Sequence, residues 1–503
     1  MTNIYRSQFK LSPEDLRTPE NMIILNKTEE QICQVLVNCV KHYKLNVVCR
    51  IAGGWVRDKL LGISCDDIDV ALDTMTGEQF AKKLDSYVNE LKLPHISIGV
   101  IGSNPDKSKH LETATVKLFG HQIDFVNLRS EKIPSHVTFG TPLEDALRRD
   151  ITINALFFNI HTKIVEDFTK RGLEDLKNRI IRTPLPPKET FLDDPLRILR
   201  TIRFASRFSY SIEKEIFEAV EDKSVIEAFH DKVSRERVRT ELDKMFKHKN
   251  RTDSLNLIVK TKMCSNVFRW GCELKLDSLV EDSNTFNAVD CPEEKFDCFV
   301  DLYLKNYKKF IDSQPFKQSI DSIDQRLCMY GLGLLPLHGY FVNNASGKKR
   351  NEIPLVSFIA THSLKATNKD IKNLKVCVTG LLNTKSFMDN FPVQKSRKYV
   401  GLFLRSVGPL WPMCLLMASI HEVSHSIKSF QEIVQINKEI FRSVELFNLD
   451  GCWDMRPLLN GHELIDVLGI EKTQISFYSN KMIEWQLDNP EGTKEQAQQF
   501  LLN

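Results

Sequence analysis

The sequence has no C-x-x-C pair. Its twelve cysteines are scattered, and the nearest two are Cys33 and Cys39. That pattern suits reduced thiols in a reducing compartment and argues against a disulfide framework or a zinc finger. There is no run of about 18 apolar residues, so no membrane span is expected. Met1 to Glu20 lacks the apolar centre of a secretory signal. Glu14, Asp15 and Glu20 among Arg6, Lys10 and Arg17 make it a poor mitochondrial presequence. Neither sign of charge is in marked excess: the net is +3. A nucleic-acid partner would therefore have to be held by a local basic patch. No internal repeat is present. What remains is 503 residues, 42% hydrophobic and 27% charged. That is an ordinary globular composition, long enough for two or more domains.

Periodicity divides the chain. Thr28 with Gln31 forms a capping-box pattern, and Ile32, Val35, Leu36, Cys39 and Val40 follow at helical spacing. Strands are expected at Val47–Ala52, Asp67–Leu72, Ile96–Ile101, Glu112–Leu118, Gln122–Leu128 and Ala155–Ile160, with a short helix around Val56, Leu60 and Leu61. This mixture over residues 25–185 reads as a small α/β domain. Arg129–Leu143, with Pro134, Gly140 and Pro142, reads as a long functional loop. Thr183-Pro184-Leu185-Pro186-Pro187 marks a boundary, beyond which the pattern is almost wholly helical. Asn343–Glu352 and Asp488–Thr493 read as polar connectors within that half.

Three constellations carry chemistry. The first is Gly53-Gly54-Trp55-Val56-Arg57-Asp58 followed by Asp67-Ile68-Asp69. Alternation on a strand puts Asp67 and Asp69 on one face and Ile68, Val70 and Leu72 on the other. Two carboxylates aimed at one point, beside a glycine turn that can cradle phosphates, suit a divalent metal and a nucleoside triphosphate. Singly, each half has a plainer reading: a tight turn, and a solvated edge strand. Asp124, in Gln122-Ile123-Asp124-Phe125, is either a third carboxylate near the metals or a polar strand-end residue.

The second is Arg148-Arg149-Asp150-Ile151-Thr152-Ile153-Asn154. Its arginines can neutralise triphosphate oxygens, and Asp150 and Asn154 can hydrogen-bond sugar hydroxyls. The plainer reading is a charged turn before a strand. The third is Asp193-Asp194-Pro195-Leu196-Arg197, continued by Arg200 and Arg203. Asp194 could simply cap a helix with Pro195 at its first position, leaving the arginines as a solvated face. The pair has a second use. Asp194 can accept from an exocyclic amine while Arg197 donates to the neighbouring ring acceptor, an arrangement that cytosine and adenine share and guanine and uracil reverse.

In this order the three constellations resemble those of the class II tRNA nucleotidyltransferases, the CCA-adding enzymes, in the form found in yeasts and plants. The likeness runs from about Val47 to Met245. It includes Asp167-Phe168 with Gly172-Leu173-Glu174-Asp175-Leu176, similar to the family's head-to-neck hinge, and Ser234-Arg235-Glu236-Arg237, similar to a neck-helix motif. It resumes at Trp453-Asp454-Met455-Arg456-Pro457-Leu458-Leu459-Asn460-Gly461.

The resemblance implies an α+β protein, a polymerase-β-like nucleotidyltransferase head followed by an all-α neck, body and tail. The corresponding divisions are a leader (1–27), head (28–185), neck (186–260) and body with tail (261–503). It implies metal ligation of Mg²⁺ by Asp67 and Asp69, with Asp124 as a third catalytic carboxylate. Triphosphate contacts fall on Gly53, Gly54, Arg57 and Arg149, and sugar contacts on Asp150 and Asn154. Base reading falls on Asp194 and Arg197, supported by Arg200 and Arg203. Asp193 stands where many members carry Glu. The implied activity is addition of C, C and A to tRNA from CTP and ATP, with the loop Arg129–Leu143 helping the switch from C to A. The partners are then tRNA, CTP and ATP, without a membrane, and a monomer is expected. The expected compartments are cytoplasm and nucleus, with the mitochondrion as a further candidate.

Three alternatives stand beside it: a poly(A) polymerase with the same head, a dead nucleotidyltransferase kept for RNA binding, and a zinc metallopeptidase. The last rests on His421-Glu422-Val423-Ser424-His425, an H-E-x-x-H pattern. Gln431 stands where a third histidine would continue it. The intact Asp67 and Asp69 argue against a dead enzyme. Basic clusters at Lys244–Arg251, Lys305–Lys309, Lys348–Arg350 and Lys395–Lys398 are the candidates for gripping RNA phosphates.

Overall fold

The computed structural model describes residues 23–93, 96–101, 113–128, 139–268, 279–281, 295–344 and 351–502. Residues 129–138 of the expected loop, and the cluster at 348–350, lie outside them. The chain divides into two compact units, Met1–Val233 and Ser234–Asn503.

The first unit opens with helix α1 (Lys27–His42). Asn26 accepts from Glu29 N, and the Glu29 carboxylate accepts from Asn26 N. The capping box expected at Thr28 and Gln31 thus lies two residues earlier, because Asn26 and Glu29 satisfy the orphan amides first. Strands β1 (Cys49–Ala52), β2 (Ile68–Leu72), β3 (Ile98–Ile101), β4 (Thr113–Leu118), β5 (His121–Asn127), β6 (Phe157–Asn159) and β7 (Ile164–Glu166) form one sheet, ordered β3-β4-β5-β2-β1-β6-β7. Helices α2 (Gly54–Leu60), α3 (Gly77–Glu90) and α4 (Pro142–Leu147) are set between them. After β7 come α5 (Gly172–Asn178), β8 (Ile180–Ile181), α6 (Pro187–Asp193), α7 (Arg197–Phe208), β9 (Ser211–Ile212), α8 (Lys214–Val220) and α9 (Lys223–Lys232). Pro142 and Leu143, the end of the expected loop, already belong to helix α4, because Thr141 and Glu144 form a capping box with Pro142 at the first position.

The sheet's one parallel pair among the described strands is β2 with β5, and its register sets Asp69 opposite Asp124. Ile68, Val70 and Leu72 point the other way and are buried, as are Ile123 and Phe125. Phe80 of α3 covers that face, its ring 4.9 Å from Phe125. Burying one such side chain contributes about 1.5–3 kcal/mol. A one-residue slip of β2 would turn all of them outward, so packing behind the sheet holds the carboxylates on the open side.

The second unit contains α10 (Arg235–Lys247), α11 (Arg251–Lys260), α12 (Cys264–Phe268), β10 (Leu279–Glu281), α13 (Phe296–Ile311), α14 (Gln325–Leu334), β11 (Tyr340–Asn344), β12 (Asn351–Pro354), α15 (Leu355–His362), α16 (Asn368–Leu374), α17 (Leu381–Asn390), α18 (Arg397–Val407) and α19 (Trp411–Ser424), then further helices to Leu502. The unit is helical as expected, with one three-stranded sheet, β10-β11-β12, set into it. The reading of Asn343–Glu352 as a connector is corrected there. Asn343 pairs with Glu352 and Asn344 with Asn351, so the polar ends belong to a ladder begun by Phe341 and Val342. The stretch 397–424 is helical and apolar enough to cross a bilayer by length and composition, yet 61% of its most apolar window is buried within the protein. Gly408, at φ 61°, separates α18 from α19.

The H-E-x-x-H residues lie in this packed interior. His421 and Glu422 are each 2% exposed. The His421 ring lies 4.3 Å from His425 and 4.7 Å from His338. His425 Nε2 meets the Tyr303 hydroxyl at 3.0 Å, and Lys385 Nζ sits 2.7 Å from a Glu422 oxygen. The glutamate is thus tied to a lysine, and the imidazoles are packing groups.

Burial disfavours the charged form of all three histidines, pushing His338 down to about 4 and His421 to about 2, with His425 lowered as well. The unfolded chain takes up their protons below about pH 6.5 while the folded chain does not. Stability is therefore full above that pH and falls as pH drops. The expected loss is about 1.4 kcal/mol per pH unit for each histidine still held neutral. Denaturant melts from pH 7 to 5 should show this slope, and His338→Gln or His421→Gln should flatten it.

Candidate active site

Asp69 and Asp67 are exposed. The strand begins at Ile68, so Asp67 enters from the preceding loop and Asp69 from the strand itself. Asp124 is part-buried. Its Oδ1 accepts from Thr115 Oγ1 at 2.7 Å and from Gln122 Nε2 at 3.4 Å. Thr115 faces Asp124 across β4–β5, so the sheet's register aims the carboxylate. Among the described residues no three His, Cys, Asp or Glu side chains close a metal cage. The donors are hard oxygens open on one side. That arrangement suits a catalytic Mg²⁺-type ion, which keeps water and substrate phosphate in its shell.

Gly53 joins β1 to α2 at φ 74° and ψ −125°. A Cβ there would lie 2.7 Å from Arg149 Nη1 and 3.5 Å from the Asn154 carbonyl oxygen. Glycine is needed twice, for the backbone angle and for the close approach of Arg149. Gly54 starts α2 with more room: its Cβ would meet Arg57 Nη2 at 3.5 Å. Arg149 itself is pinned. Its Nε and Nη2 donate to Asp145 Oδ2 at 3.0 and 2.7 Å, its Nη1 donates to the Asn154 carbonyl at 3.2 Å, and its guanidinium lies 5.0 Å from the Phe157 ring centre.

Arg57 is buried, at 3% exposure. It pairs with Asp58 at 2.7 Å, donates to Asn154 Oδ1, and lies 5.1 and 4.8 Å from the ring centres of Phe204 and Phe208. Asn154 Nδ2 donates in turn to Asp150 Oδ1 at 3.0 Å. Arg200 Nε and Nη2 reach Asp150 Oδ2 at 2.8 and 2.7 Å. Burial alone would push the Asp150 carboxyl up. Arg200, Asn154 and the Ile151 N–H outweigh it and hold the group at about 2. Arg203 lies 4.1 Å from the Phe204 ring centre. One network, Asp58–Arg57–Asn154–Asp150–Arg200, therefore joins all three constellations.

Asp194 and Arg197 are placed by the turn between α6 and α7. Asp194 Oδ1 accepts from Leu196 N at 3.2 Å. Helix α7 itself starts at Arg197 with Leu196 at its N-cap, so Asp194 shapes an Asx turn two residues before that cap rather than capping the helix. Arg197 is held by Asp193 Oδ2 at 2.7 Å and by the carbonyls of Thr190 and Arg148 at 3.2 and 2.9 Å. Its direct ionic partner is Asp193. Sequence reasoning also missed Asp145, Thr115, Phe204 and Phe208. Asp145 with Arg149 was open to it as a helical i,i+4 pair; the others are contacts between separate elements, with no local signal.

Residues 49–182 match the Poly A polymerase head domain family, and residues 209–270 match the family described as the probable RNA and SrmB- binding site of polymerase A. Fold and acidic site thus define a nucleotidyltransferase. The mitochondrial CCA tRNA nucleotidyltransferase of Saccharomyces cerevisiae is 36% identical, over 94% of this chain and 92% of that one. The tRNA nucleotidyltransferase cca2 of Schizosaccharomyces pombe is 35% identical, over 95% and 98%. The chain belongs to the CCA tRNA nucleotidyltransferase family. The structure of the Thermotoga maritima CCA-adding enzyme complexed with tRNA-CCA has the same fold, with a TM-score of 0.60 at 20% identity over 95% of this chain and 96% of that one. A complex of a CCA-adding enzyme with CTP gives a TM-score of 0.62 over 95% and 96%, also at 20% identity. Family membership implies use of a divalent metal.

Proposed function

We propose that this chain adds C, C and A in turn to the 3′ end of tRNA, using CTP and ATP without a nucleic-acid template and releasing pyrophosphate. The observation that carries the reading is the β2–β5 register, which sets Asp69 beside Asp124 on the open face next to the Gly53 turn. Asp67 and Asp69 would hold Mg²⁺. When bound, the ion lowers the pKa of the attacking 3′-hydroxyl and neutralises charge on the α-phosphate and leaving oxygens.

The remaining chemistry is positioning. The Gly53–Gly54 turn brings backbone close to the triphosphate, and Arg149, fixed by Asp145, offers it a rigid cation. Asp150 and Asn154 orient the sugar. Arg57 and Arg200, which the resemblance would put on the nucleotide itself, hold that pair in place through their bonds to Asn154 and Asp150. Asp194 and Arg197 read the amine edge shared by C and A, and Arg203 supports the nucleotide. The test is incorporation of labelled CTP and ATP into a tRNA lacking its last three nucleotides, with the product sequenced. A run of A alone would favour a poly(A) polymerase instead.

Arg197→Ala should blur nucleotide choice. A site that hydrogen-bonds a base edge rejects the reversed edge strongly. The expected loss of preference for CTP over UTP is about 10²-fold in kcat/KM, about 2.7 kcal/mol. Unchanged selectivity would place base reading elsewhere. We also propose the cytoplasm and nucleus as compartments alongside the mitochondrion, whose name the Saccharomyces relative carries. Fractionation with an epitope tag tests this.

A further inference from the structure

The basic clusters read from sequence differ in how their charges are used. Lys305 pairs with Asp301, Lys395 with Glu439 and Lys398 with Glu484. Arg397 donates to the carbonyls of Phe447 and Leu487. These charges are largely spent within the protein.

One cavity of the second unit is different. It has a volume of about 280 Å³, and Lys249, Arg251, Thr252, Asp312, Lys317 and Gln325 line it together with Tyr307. Three cations face one carboxylate. Arg251 is rigidly placed: its Nε donates to the Phe246 carbonyl at 3.1 Å, and its Nη1 donates to Gln325 Oε1. Neither Arg251 nor Lys317 has a carboxylate partner among the described residues. Arg251 and Thr252 open the first turn of α11, whose preceding residue Asn250 makes no side-chain cap. The positive end of that helix therefore bears on the cavity. Tyr307 is 1% exposed, yet its hydroxyl makes no hydrogen bond to any described residue. A buried tyrosine hydroxyl ordinarily has a partner.

We propose that this cavity binds a phosphate group. Arg251 and Lys317 neutralise it, and the Tyr307 hydroxyl and the Thr252 N–H, the first-turn amide of α11 with no acceptor within the helix start, donate to it. The chemistry serves either a backbone phosphate of tRNA or a free phosphate ion. The tRNA source rests on the function proposed above, which wild-type incorporation of CTP and ATP into the same trimmed tRNA reads independently.

The experiment uses the full chain and its K249E/K317E double variant. Trimmed-tRNA affinity is measured by fluorescence anisotropy across a salt series. Thermal midpoints are measured with inorganic phosphate against chloride at matched ionic strength. An equal midpoint in phosphate-free buffer establishes that the variant is folded. A backbone phosphate predicts about a tenfold loss of tRNA affinity and a log–log salt slope shallower by about 1. A free ion predicts unchanged tRNA affinity and loss of the phosphate-induced rise in midpoint. Tyr307→Phe keeps the packing and removes one donor, so the same readout should weaken by about threefold, the scale of one hydrogen bond. If the double variant changes neither tRNA affinity nor the phosphate response, the proposal is overturned.

Discussion

Asp69→Ala is expected to abolish nucleotidyl transfer, lowering single-turnover CTP incorporation by about 10³-fold or more while tRNA affinity stays within about twofold. A carboxylate that holds the metal supplies several kcal/mol of charge stabilisation, and about 4 kcal/mol is 10³-fold. Asp69 leaves the sheet at its centre, and its neighbours Ile68 and Val70 are buried by other contacts, so truncating it should cost little stability. Asp67→Ala should behave alike. Asp124→Asn is the informative third variant. Thr115 and Gln122 both donate to Asp124 Oδ1, so the amide can keep its place while losing its charge. A fall near that of Asp69→Ala would make Asp124 a metal ligand. A fall of a few-fold would make it a group that merely shapes the face. Near-normal turnover of Asp69→Ala would remove the whole assignment of the acidic pair.

Gly53→Ala should be the most damaging single-methyl change in the site. The residue sits at φ 74° and ψ −125°, and strain in such a region costs about 1–3 kcal/mol for a residue with a Cβ. The added carbon would also meet Arg149 Nη1 at 2.7 Å. Arg149 cannot yield without giving up its bonds to Asp145 and the Asn154 carbonyl. The expected result is a loss of about 10²-fold in kcat/KM, roughly 2.7 kcal/mol. KM should rise for CTP and ATP together, because the displaced cation serves the triphosphate both share. Gly54→Ala is the control. Its new carbon meets nothing nearer than 3.5 Å, so stability should be close to wild type. Equal effects at the two glycines would show that neither the backbone angle nor Arg149 matters.

Much of the site was legible from residues alone. Alternation predicted that Asp67 and Asp69 share a face, and β2 buries Ile68, Val70 and Leu72 as that requires. The order of the three constellations along the chain points to the family without any coordinate. Boundaries moved where local chemistry competed. Asn26 and Glu29 took the cap from Thr28 and Gln31, and the strand began one residue after Asp67. The polar run 343–352 concealed strand ends because pairing of polar residues in a ladder leaves no hydrophobic period to read.

By itself, the sequence determined which side chains are the candidates for metal, phosphate and base, through the order of the motifs and through spacing along a strand or helix, which sets which residues share a face. Tertiary structure decided their partners. The pairing of Asp69 with Asp124 comes from two strands 50 and more residues apart lying side by side. The brackets around Arg57, the grip of Asp145 on Arg149 beneath Gly53, and the meeting of Arg200 with buried Asp150 arise only once those elements pack. Such contacts depend on three-dimensional register and burial, and a one-dimensional pattern of residues carries neither.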